Sequence, residues 1–221
     1  VASEFRYRDP ILNENTLMII ISQSGETADT LAALREAKRA GCRVLSVVNV
    51  VGSTIATESD DVLYTWAGPE ISVASTKAYS TQLAVIYLLA LYIGEQLGKF
   101  TQEQLSAYIA ALEKLPEQID EMLKHKENIQ FFASKYFNAS DMYFIGRNVD
   151  YAASLEASLK LKEISYIHSE AYAAGELKHG PISLIEDGTL VIALATDARL
   201  FDKLMSNIKE VKARGAVVLG V

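Results

Sequence analysis

Hydrophobic residues in this chain fall into short β-branched runs that alternate with longer amphipathic stretches. The run TLMIII (16–21) is followed by the polar segment SQSGET and then by ADTLAALREAKRAG, whose apolar spacing predicts a helix that ends at Gly41. The runs RVLSVVNV (43–50) and DVLYTWA (61–67) predict two further strands. Strands that are apolar on both faces are typical of a parallel sheet covered by helices, so the pattern predicts an α/β fold.

Helical periodicity dominates the middle of the chain. It predicts a helix from about Val73 to Leu97, a second over 101–124 that Pro116 interrupts, and a third over 125–137. Strands and helices then alternate again, with strands at 141–146, 189–196 and 216–221 and helices at 151–166 and 197–215. We therefore expect two α/β domains, at residues 1–125 and 126–221, joined by the helical segment.

Two parts of the chain repeat one layout. TLVIALAT, a helix ending in ARG and the run AVVLGV follow the same order as TLMIII with SQSGET, a helix ending in RAG, and RVLSVVNV. Such a repeat indicates two doubly wound parallel-sheet domains of the flavodoxin-like kind. A strand and helix at 141–166 precede only the second copy, and those at 61–97 follow only the first. We expect both domains to be truncated, each by about one strand and one helix.

Composition narrows the classes of protein further. Half of the 221 residues are apolar and 22% are charged, which allows a sizeable core and excludes a disordered chain. The net charge of −7 argues against a general nucleic-acid binder, since such proteins need a basic face. The single cysteine, Cys42, fits a reducing compartment, and the three scattered histidines give no metal-ligand spacing. We expect no metal site.

Targeting signals are not visible in the sequence. The polar start VASEFRYRDP lacks the apolar core of a secretory signal. The longest apolar run, Leu83 to Gly94, is shorter than the ~20 residues that span a bilayer. We therefore expect a cytoplasmic protein with no membrane partner.

The segment SQSGET (residues 22–27, the SQSGET loop) is the first candidate binding site. Ser22, Gln23, Ser24 and Thr27 offer hydroxyls and an amide between a predicted parallel strand and a helix, where oriented N–H groups favour an anion. Neither a Walker lysine nor a GxGxxG pattern is present, which disfavours a nucleotide. The alternative is a helix cap in which Ser24 or Thr27 satisfies free amides. A second hydroxyl cluster, SVASTKAYSTQ (72–82), has the same alternative.

Charged residues on the helix predicted at 151–166 are the candidate acid–base groups. Glu156, Lys160 and Glu163 fall at i, i+4 and i+7 and so share one face. They form either a solvated stripe or a carboxylate base beside an ammonium that offsets developing negative charge. Leu155, Leu159 and Ile164 are expected to supply the packing faces of this helix.

The three histidines differ in their setting. His179 lies in the turn GELKHGP (175–181), where an imidazole can exchange a proton near neutral pH. His125, in the run KHKE, is expected at the surface. His168 is expected at the end of a helix, as a packed or capping residue or as a catalytic one.

Four blocks of the sequence together resemble a known family. They are SQSGETADTL, GPEISVASTKAYSTQ, LEASLKLKEISYIHSEAYAAGELKHGP and the SNIKEVKARG helix. In this order and spacing they resemble the sugar-isomerase (SIS) half of the glutamine:fructose-6-phosphate aminotransferases, also called glucosamine-6-phosphate synthases. The resemblance runs through the whole chain, and the tandem SIS fold of that family agrees with the repeat.

The resemblance implies a reaction and a set of ligand contacts. The family moves an amino group from glutamine to fructose 6-phosphate and isomerises the product to glucosamine 6-phosphate, and no cofactor is expected. By resemblance, Ser22, Gln23, Ser24 and Thr27 hold the phosphate. The loop from Val73 to Ser75 contacts the sugar hydroxyls.

The resemblance also implies catalytic roles. Glu163 matches the family's base, which shuttles a proton between the first and second sugar carbons. Lys160 matches a lysine beside it that interacts with the sugar, and His179 matches the histidine credited with opening the ring. That histidine reaches the sugar of the neighbouring subunit in the family, so a homodimer is implied.

Some parts of the family pattern have no counterpart here. The catalytic cysteine of the glutaminase domain, the imine-forming lysine of the carboxy-terminal tail and the first phosphate loop are all expected beyond the ends of this chain. The expected partners are therefore a glutaminase domain of the same parent chain and a sugar phosphate: fructose 6-phosphate, glucosamine 6-phosphate or glucose 6-phosphate. We expect weak binding at best, and no complete amino transfer by this chain alone.

Two other functions fit the same residues. One is a stand-alone SIS deglycase or aminosugar-phosphate isomerase that lacks a glutaminase domain. The other is a SIS module that senses a sugar phosphate without catalysis. The combination of Glu163 and His179 argues against pure sensing, and the extended SQSGETADTL and ASTKA agreement favours the synthase.

Overall fold

The computed structural model describes the whole chain, Val1–Val221. The residues form two compact units, Val1–Glu117 and Gln118–Val221, and each unit holds one parallel sheet. The α/β class expected from the apolar runs is confirmed. The division falls inside the helical segment, and the domain boundary expected between residues 125 and 126 stays a prediction.

The first unit is built on a three-stranded parallel sheet. Its elements are α1 (Ala2–Phe5), β1 (Leu17–Ser22), α2 (Ala28–Arg39), β2 (Arg43–Val48), α3 (Thr54–Glu58), β3 (Asp61–Tyr64), α4 (Lys77–Gln96) and α5 (Gln102–Leu123), within which the division falls. The strand order is β1-β2-β3. β1 pairs only with β2, in a register that sets Leu17 beside Arg43, so its other edge is open.

Burial in the first unit follows the predicted apolar spacing. Leu34 and Ala37 of α2 lie against Val44 and Val48 of β2, and all four are buried. On β1 the side chains of Leu17, Ile19 and Ile21 remain more than two-fifths exposed, since nothing covers that side of the sheet edge. The core of this unit therefore lies between α2, α3 and the sheet.

The second unit is built on a four-stranded parallel sheet. Its elements are α6 (Lys126–Tyr136), β4 (Asp141–Gly146), α7 (Val149–Ser165), β5 (His168–Ala173), two short 3₁₀ helices (Ala174–His179 and Pro181–Leu184), β6 (Leu190–Ala193), α8 (Phe201–Lys212) and β7 (Val217–Gly220). In the strand order β5-β4-β6-β7, the chain adds β5 on one side of β4 and then adds β6 and β7 on the other side. That reversal is the switch point of a doubly wound sheet, at which such folds bind ligands.

The predicted repeat is present as β1-α2-β2 and β6-α8-β7, each with its two strands parallel and adjacent. Both helices end in the same way. After α2 the N–H groups of Gly41 and Cys42 bond the carbonyls of Lys38 and Ala37, and Gly41 adopts φ +81°. This is the Schellman arrangement, in which glycine takes the left-handed conformation at low cost.

The end of α8 matches that of α2 residue for residue. The N–H groups of Gly215 and Ala216 bond the carbonyls of Lys212 and Val211, and Gly215 adopts φ +90°. The short motifs RAG and ARG thus mark one and the same helix stop, which supports the tandem repeat at the level of backbone hydrogen bonds.

Three element predictions need correction. α4 begins at Lys77 and not at Val73, because residues 65–76 form an irregular segment. α5 runs through Pro116 without a break, since an exposed helix tolerates one lost N–H and proline's φ is helical. β5 is missing from the predicted strands, because HSEAYA carries polar residues on an edge strand that pairs only with β4.

The buried face of α7 also differs from the prediction. Asp150, Ser154 and Ser158 are buried, whereas Leu155 and Leu159 stay half exposed and do not pack into the core. Small polar residues on this face let the helix approach the sheet closely. At Gly146, the last residue of β4, a Cβ atom would lie 2.4 Å from the carbonyl carbon of Asp150.

No helix in the protein combines the length and the apolar character needed to cross a membrane.

Candidate active site

The SQSGET loop follows β1 directly and leads into α2. Ser22 is buried at the end of the strand, and its Oγ accepts a hydrogen bond from the N–H of Gly25 at 3.1 Å. The Oγ of Ser24 accepts one from the N–H of Glu26 at 3.2 Å. Each hydroxyl oxygen is therefore occupied as an acceptor inside the loop, while its O–H can still donate to a ligand.

Backbone geometry fixes the loop against the segment after β2. The N–H of Asn49 donates to the carbonyl of Gln23 at 3.1 Å, and the N–H of Ile55 donates to the carbonyl of Gly25 at 3.0 Å. Gly25 adopts φ +69°, and a Cβ atom there would lie 2.0 Å from the Oγ of Ser53. Only glycine fits this position, because both the backbone conformation and the space exclude a side chain.

The amino end of α2 has no side-chain cap. Thr27 is the N-cap residue, yet neither its hydroxyl nor that of Ser24 accepts from an N–H of the first helical turn. The capping alternative for Ser24 and Thr27 is therefore wrong. The first amides of α2 point out of the helix beside the hydroxyls of the SQSGET loop, an arrangement that suits an anion.

Glu26, the one acidic residue of the SQSGET loop, is turned toward α3. Its carboxylate accepts from the N–H of Thr54 and from the Oγ1 of Thr54, both at 2.7 Å. The backbone and hydroxyl hydrogen bonds from Thr54 lower the pKa of this carboxyl below its ordinary value. The side chain is thus held as a carboxylate that faces Thr54.

The second hydroxyl cluster lies in the irregular segment before α4. Val73 is almost fully exposed, and its carbonyl accepts from the N–H of Ser75 at 3.0 Å. The hydroxyl of Ser75 donates to Glu70 at 2.9 Å, a hydrogen bond that lowers the pKa of the Glu70 carboxyl. Sequence reasoning missed Glu70, since nothing in the hydroxyl pattern points to an acidic partner five residues earlier.

The predicted acid–base face of α7 is present in the second unit. The Nζ of Lys160 lies 2.5 Å from Glu163 Oε2 and 3.5 Å from Glu156 Oε1. All three side chains are about one-quarter exposed or less. The hydrogen bond to Glu163 raises the pKa of Lys160 above its ordinary value, against the opposing effect of desolvation. The site therefore holds an ammonium between two carboxyl groups that water reaches only in part.

His179 stands apart from this face of α7. It ends the 3₁₀ helix Ala174–His179, its side chain is 62% exposed, and its Nε2 lies 3.9 Å from Glu176. No hydrogen bond or ion pair joins it to Lys160 or Glu163. Gly180 follows with φ +140°, so the turn predicted around GELKHGP is present, and its imidazole faces solvent.

The other two histidines have surface partners. His125 is exposed and lies 3.8 Å from Glu121, as expected of a surface residue. His168 begins β5, and its Nδ1 is 2.9 Å from Asp141. The expected position of His168 at a helix end is therefore corrected, because α7 stops at Ser165 and Tyr166 takes a left-handed turn into the strand.

A buried acid that sequence reasoning missed sits at the switch point of the second sheet. Asp150 in the first turn of α7 is 5% exposed and accepts from the N–H and Oγ1 of Thr196, at 2.9 and 2.5 Å. Thr196 follows β6, at the place that corresponds to Gln23 in the first copy of the repeat. This bridge joins α7 to the segment after β6, at the place in the repeat where the first unit presents the SQSGET loop.

Comparisons with known proteins give the context of these residues. The family model described as "SIS domain" matches residues 1–92 and 135–221. The glutamine–fructose-6-phosphate aminotransferases (isomerizing) of Caldanaerobacter subterraneus subsp. tengcongensis and Clostridium tetani are both 61% identical to the chain, over 219 and 221 residues. Those alignments cover 99% and 100% of this chain but 36% of each relative, so the chain spans about a third of their length.

A solved structure agrees with both units. The C-terminal domain of glucosamine-fructose-6-phosphate aminotransferase from Francisella tularensis superposes with a TM-score of 0.95 at 40% sequence identity. The match covers 99% of this chain and 62% of that chain. The resemblance noted in the sequence is therefore matched by the fold over nearly the whole chain.

Proposed function

The chain belongs to the SIS domain family, and from this premise we propose that it is the isomerase part of a glutamine–fructose-6-phosphate aminotransferase. The observation that carries the proposal is the pairing of Lys160 with Glu163 in a protein 61% identical to such enzymes over its whole length. The part played by this chain is to bind the sugar phosphate and to move a proton between sugar carbons.

The SQSGET loop is the proposed phosphate site. The hydroxyls of Ser22 and Ser24 can donate to phosphate oxygens, and the amide of Gln23 and the hydroxyl of Thr27 add two further donors. The uncapped first turn of α2 contributes N–H groups and the positive end of its dipole. Val73 and Ser75 belong to the proposed sugar site, where Ser75 is oriented by Glu70.

Glu163 is the proposed base for the proton shift. A carboxylate takes the proton from one sugar carbon and returns it to the neighbouring carbon, and negative charge develops on the sugar oxygen in between. Lys160 stays an ammonium because its hydrogen bond to Glu163 raises its pKa, so it can offset that charge. His179 is proposed to open the sugar ring, a role for which an exposed imidazole can reach a ligand from outside.

Further partners follow from the same proposal. A homodimer would let His179 reach the sugar of a second subunit, which fits the absence of any hydrogen bond or ion pair from His179 to Lys160 or Glu163. A glutaminase domain of the parent chain would supply the amino group. A cytoplasmic location would give access to both glutamine and fructose 6-phosphate.

The test compares Glu163→Gln with Glu156→Gln in the intact protein. Both changes remove one carboxylate beside Lys160, yet only Glu163 is the proposed base. Loss of a general base is expected to slow isomerisation by about 10²–10⁴-fold in Glu163→Gln. The Glu156→Gln rate should stay within about threefold of wild type, since Glu156 lies 3.5 Å from Lys160 Nζ and the closer partner, Glu163, is kept. The measurement is incorporation of solvent deuterium into fructose 6-phosphate, with binding of the sugar phosphate followed in parallel.

Three outcomes separate the candidate functions. Exchange that survives in Glu163→Gln at the wild-type rate would remove Glu163 as the base. Sugar phosphate binding without any exchange in the wild-type protein would favour the sensing module instead. Exchange in a protein whose gene encodes no glutaminase domain would favour the stand-alone isomerase.

A further inference from the structure

Three acceptor groups of the SQSGET loop are taken up by one neighbouring segment, residues 49–55 (the backing segment). The N–H of Asn49 bonds the carbonyl of Gln23, and the N–H of Ile55 bonds the carbonyl of Gly25. Thr54 supplies two donors to the carboxylate of Glu26, its N–H to Oε1 and its Oγ1 to Oε2. The backing segment therefore faces the negative atoms of the loop.

The groups of the SQSGET loop and of the first turn of α2 that remain without a partner include donors. The O–H groups of Ser22 and Ser24 are free to donate, because their oxygens are the atoms bonded by loop amides. The first turn of α2 has no side-chain cap. A loop whose acceptors are paired and whose donors remain free suits an anion.

Glu26 is the residue of the SQSGET loop whose charge would oppose the binding of an anion. It is a carboxylate inside a loop proposed to hold a phosphate, and like charges a few ångströms apart repel each other. Its own side chain is exposed, so packing does not restrain it. The two hydrogen bonds from Thr54 are the contacts that direct the carboxylate toward α3.

We propose that Thr54 is a positioning residue for anion binding, which holds the Glu26 carboxylate against α3 and so keeps it away from a phosphate in the SQSGET loop. The proposal rests on the proposed function, since it takes the loop to be the phosphate site. It adds a residue outside the loop that makes an acidic loop compatible with an anionic ligand.

Thr54→Pro tests the proposal with little disturbance to the helix. Thr54 is the first residue of α3, where proline is tolerated, and Ser53 before it has φ −61° and ψ 160°, the conformation that a residue preceding proline prefers. The substitution removes both donors to Glu26 at once. Thr57→Val is the matched control, because Thr57 lies in the same helix and its Oγ1 donates to the carbonyl of Ser53 and not to Glu26.

Binding of fructose 6-phosphate and of inorganic phosphate is measured on the intact protein by isothermal titration calorimetry. Thr54→Pro should raise the dissociation constant about tenfold, the scale of hydrogen bonds to a charged group. Thr57→Val and Thr54→Ser should stay within about twofold of wild type. In a Glu26→Gln background, Thr54→Pro should change the dissociation constant by less than about threefold, because there is no carboxylate that could turn toward the ligand.

Each result decides a separate point. Absence of binding by the intact wild-type protein at millimolar ligand would overturn the proposed phosphate site and this inference with it. Wild-type binding that Thr54→Pro leaves unchanged would overturn the inference alone. An equal loss in both backgrounds would mean that Thr54 acts on folding and not through Glu26. If Thr54→Pro does not fold, the single variant Glu26→Gln decides. Binding at least as tight as that of wild type would support the proposal. Binding tenfold weaker would show that the carboxylate supports the ligand, contrary to the proposal.

Discussion

Charged side chains near the candidate site are held by short-range hydrogen bonds and not by burial. Glu26 is tied to Thr54, Glu70 to Ser75 and Lys160 to Glu163. In each case the hydrogen bond stabilises the ionised form, so the pKa of the two carboxyls falls and that of the lysine rises. At neutral pH all three groups are therefore charged and fixed in direction.

Tyr172 on β5 provides a residue-scale prediction about pH. Its phenol donates a short hydrogen bond to Glu170, and that bond together with desolvation raises the pKa of Tyr172 to about 12. Because the folded pKa lies above the ordinary value of 10, the contact stabilises the fold fully below pH ~10 and loses this contribution as the pH rises through ~12. Tyrosine ring NMR of the wild-type chain should show Tyr172 ionising near pH 12.

A matched variant checks the cause of that shift. In Glu170→Gln the pKa of Tyr172 should fall back toward 10, because the charged acceptor is removed. A Tyr172 ring that already ionises near pH 10 in the wild-type chain would contradict the assignment.

Helix ends and helix faces differ in how far the sequence predicts them. The stops of α2 and α8 are local, because a glycine four residues past the last buried position provides the left-handed turn by itself. The buried face of α7 is not local. Asp150, Ser154 and Ser158 are inside because β4 and β5 approach that side closely, and hydropathy alone assigns such residues to solvent.

Asp150 gives the prediction at the scale of elements, since it joins α7 to the segment after β6. Asp150→Ala removes two hydrogen bonds from Thr196 and leaves its N–H unpaired. We expect a loss of about 2–4 kcal/mol in the free energy of unfolding. The measurement is urea unfolding followed by far-UV circular dichroism.

Asp202→Ala is the control for Asp150→Ala. Asp202 also lies in the first turn of a helix, α8, but it is exposed. Its loss should cost less than about 1 kcal/mol, the value typical of an exposed charge near a helix dipole. Equal costs for the two substitutions would show that the buried bridge adds nothing.

At the scale of the whole molecule, the α/β class and the tandem repeat follow from local apolar runs, whereas the site follows from local pattern only in part. β5 pairs polar residues with β4, so only the complete sheet identifies it. The Lys160–Glu163 contact follows from helical spacing and was predictable. The bonds from Thr54 to Glu26 and from Thr196 to Asp150 connect residues far apart in sequence, and neither leaves a local pattern.

Each unit has its own hydrophobic core, so we expect the two units to unfold in separate transitions. Trp66, the single tryptophan, lies in the first unit with its ring centroid 5.6 Å from that of Tyr64, so loss of this contact on unfolding changes its fluorescence. Leu34→Ala in the first core should lower the free energy of unfolding measured by Trp66 fluorescence by about 2–5 kcal/mol. Leu204→Ala in the second core should lower the free energy of unfolding measured by circular dichroism by a similar amount. The unfolding transition measured by Trp66 fluorescence should not change. Identical shifts of both signals in both variants would mean that the two cores unfold as one.

The open edge of β1 affects the tendency of the chain to aggregate. The strand sequence LMIIIS has no charge, no proline and no glycine, and it lies unpaired on one side with exposed apolar side chains. These are the properties of segments that stack into cross-β fibrils. We therefore expect a concentrated or partly unfolded sample of this chain to aggregate through β1.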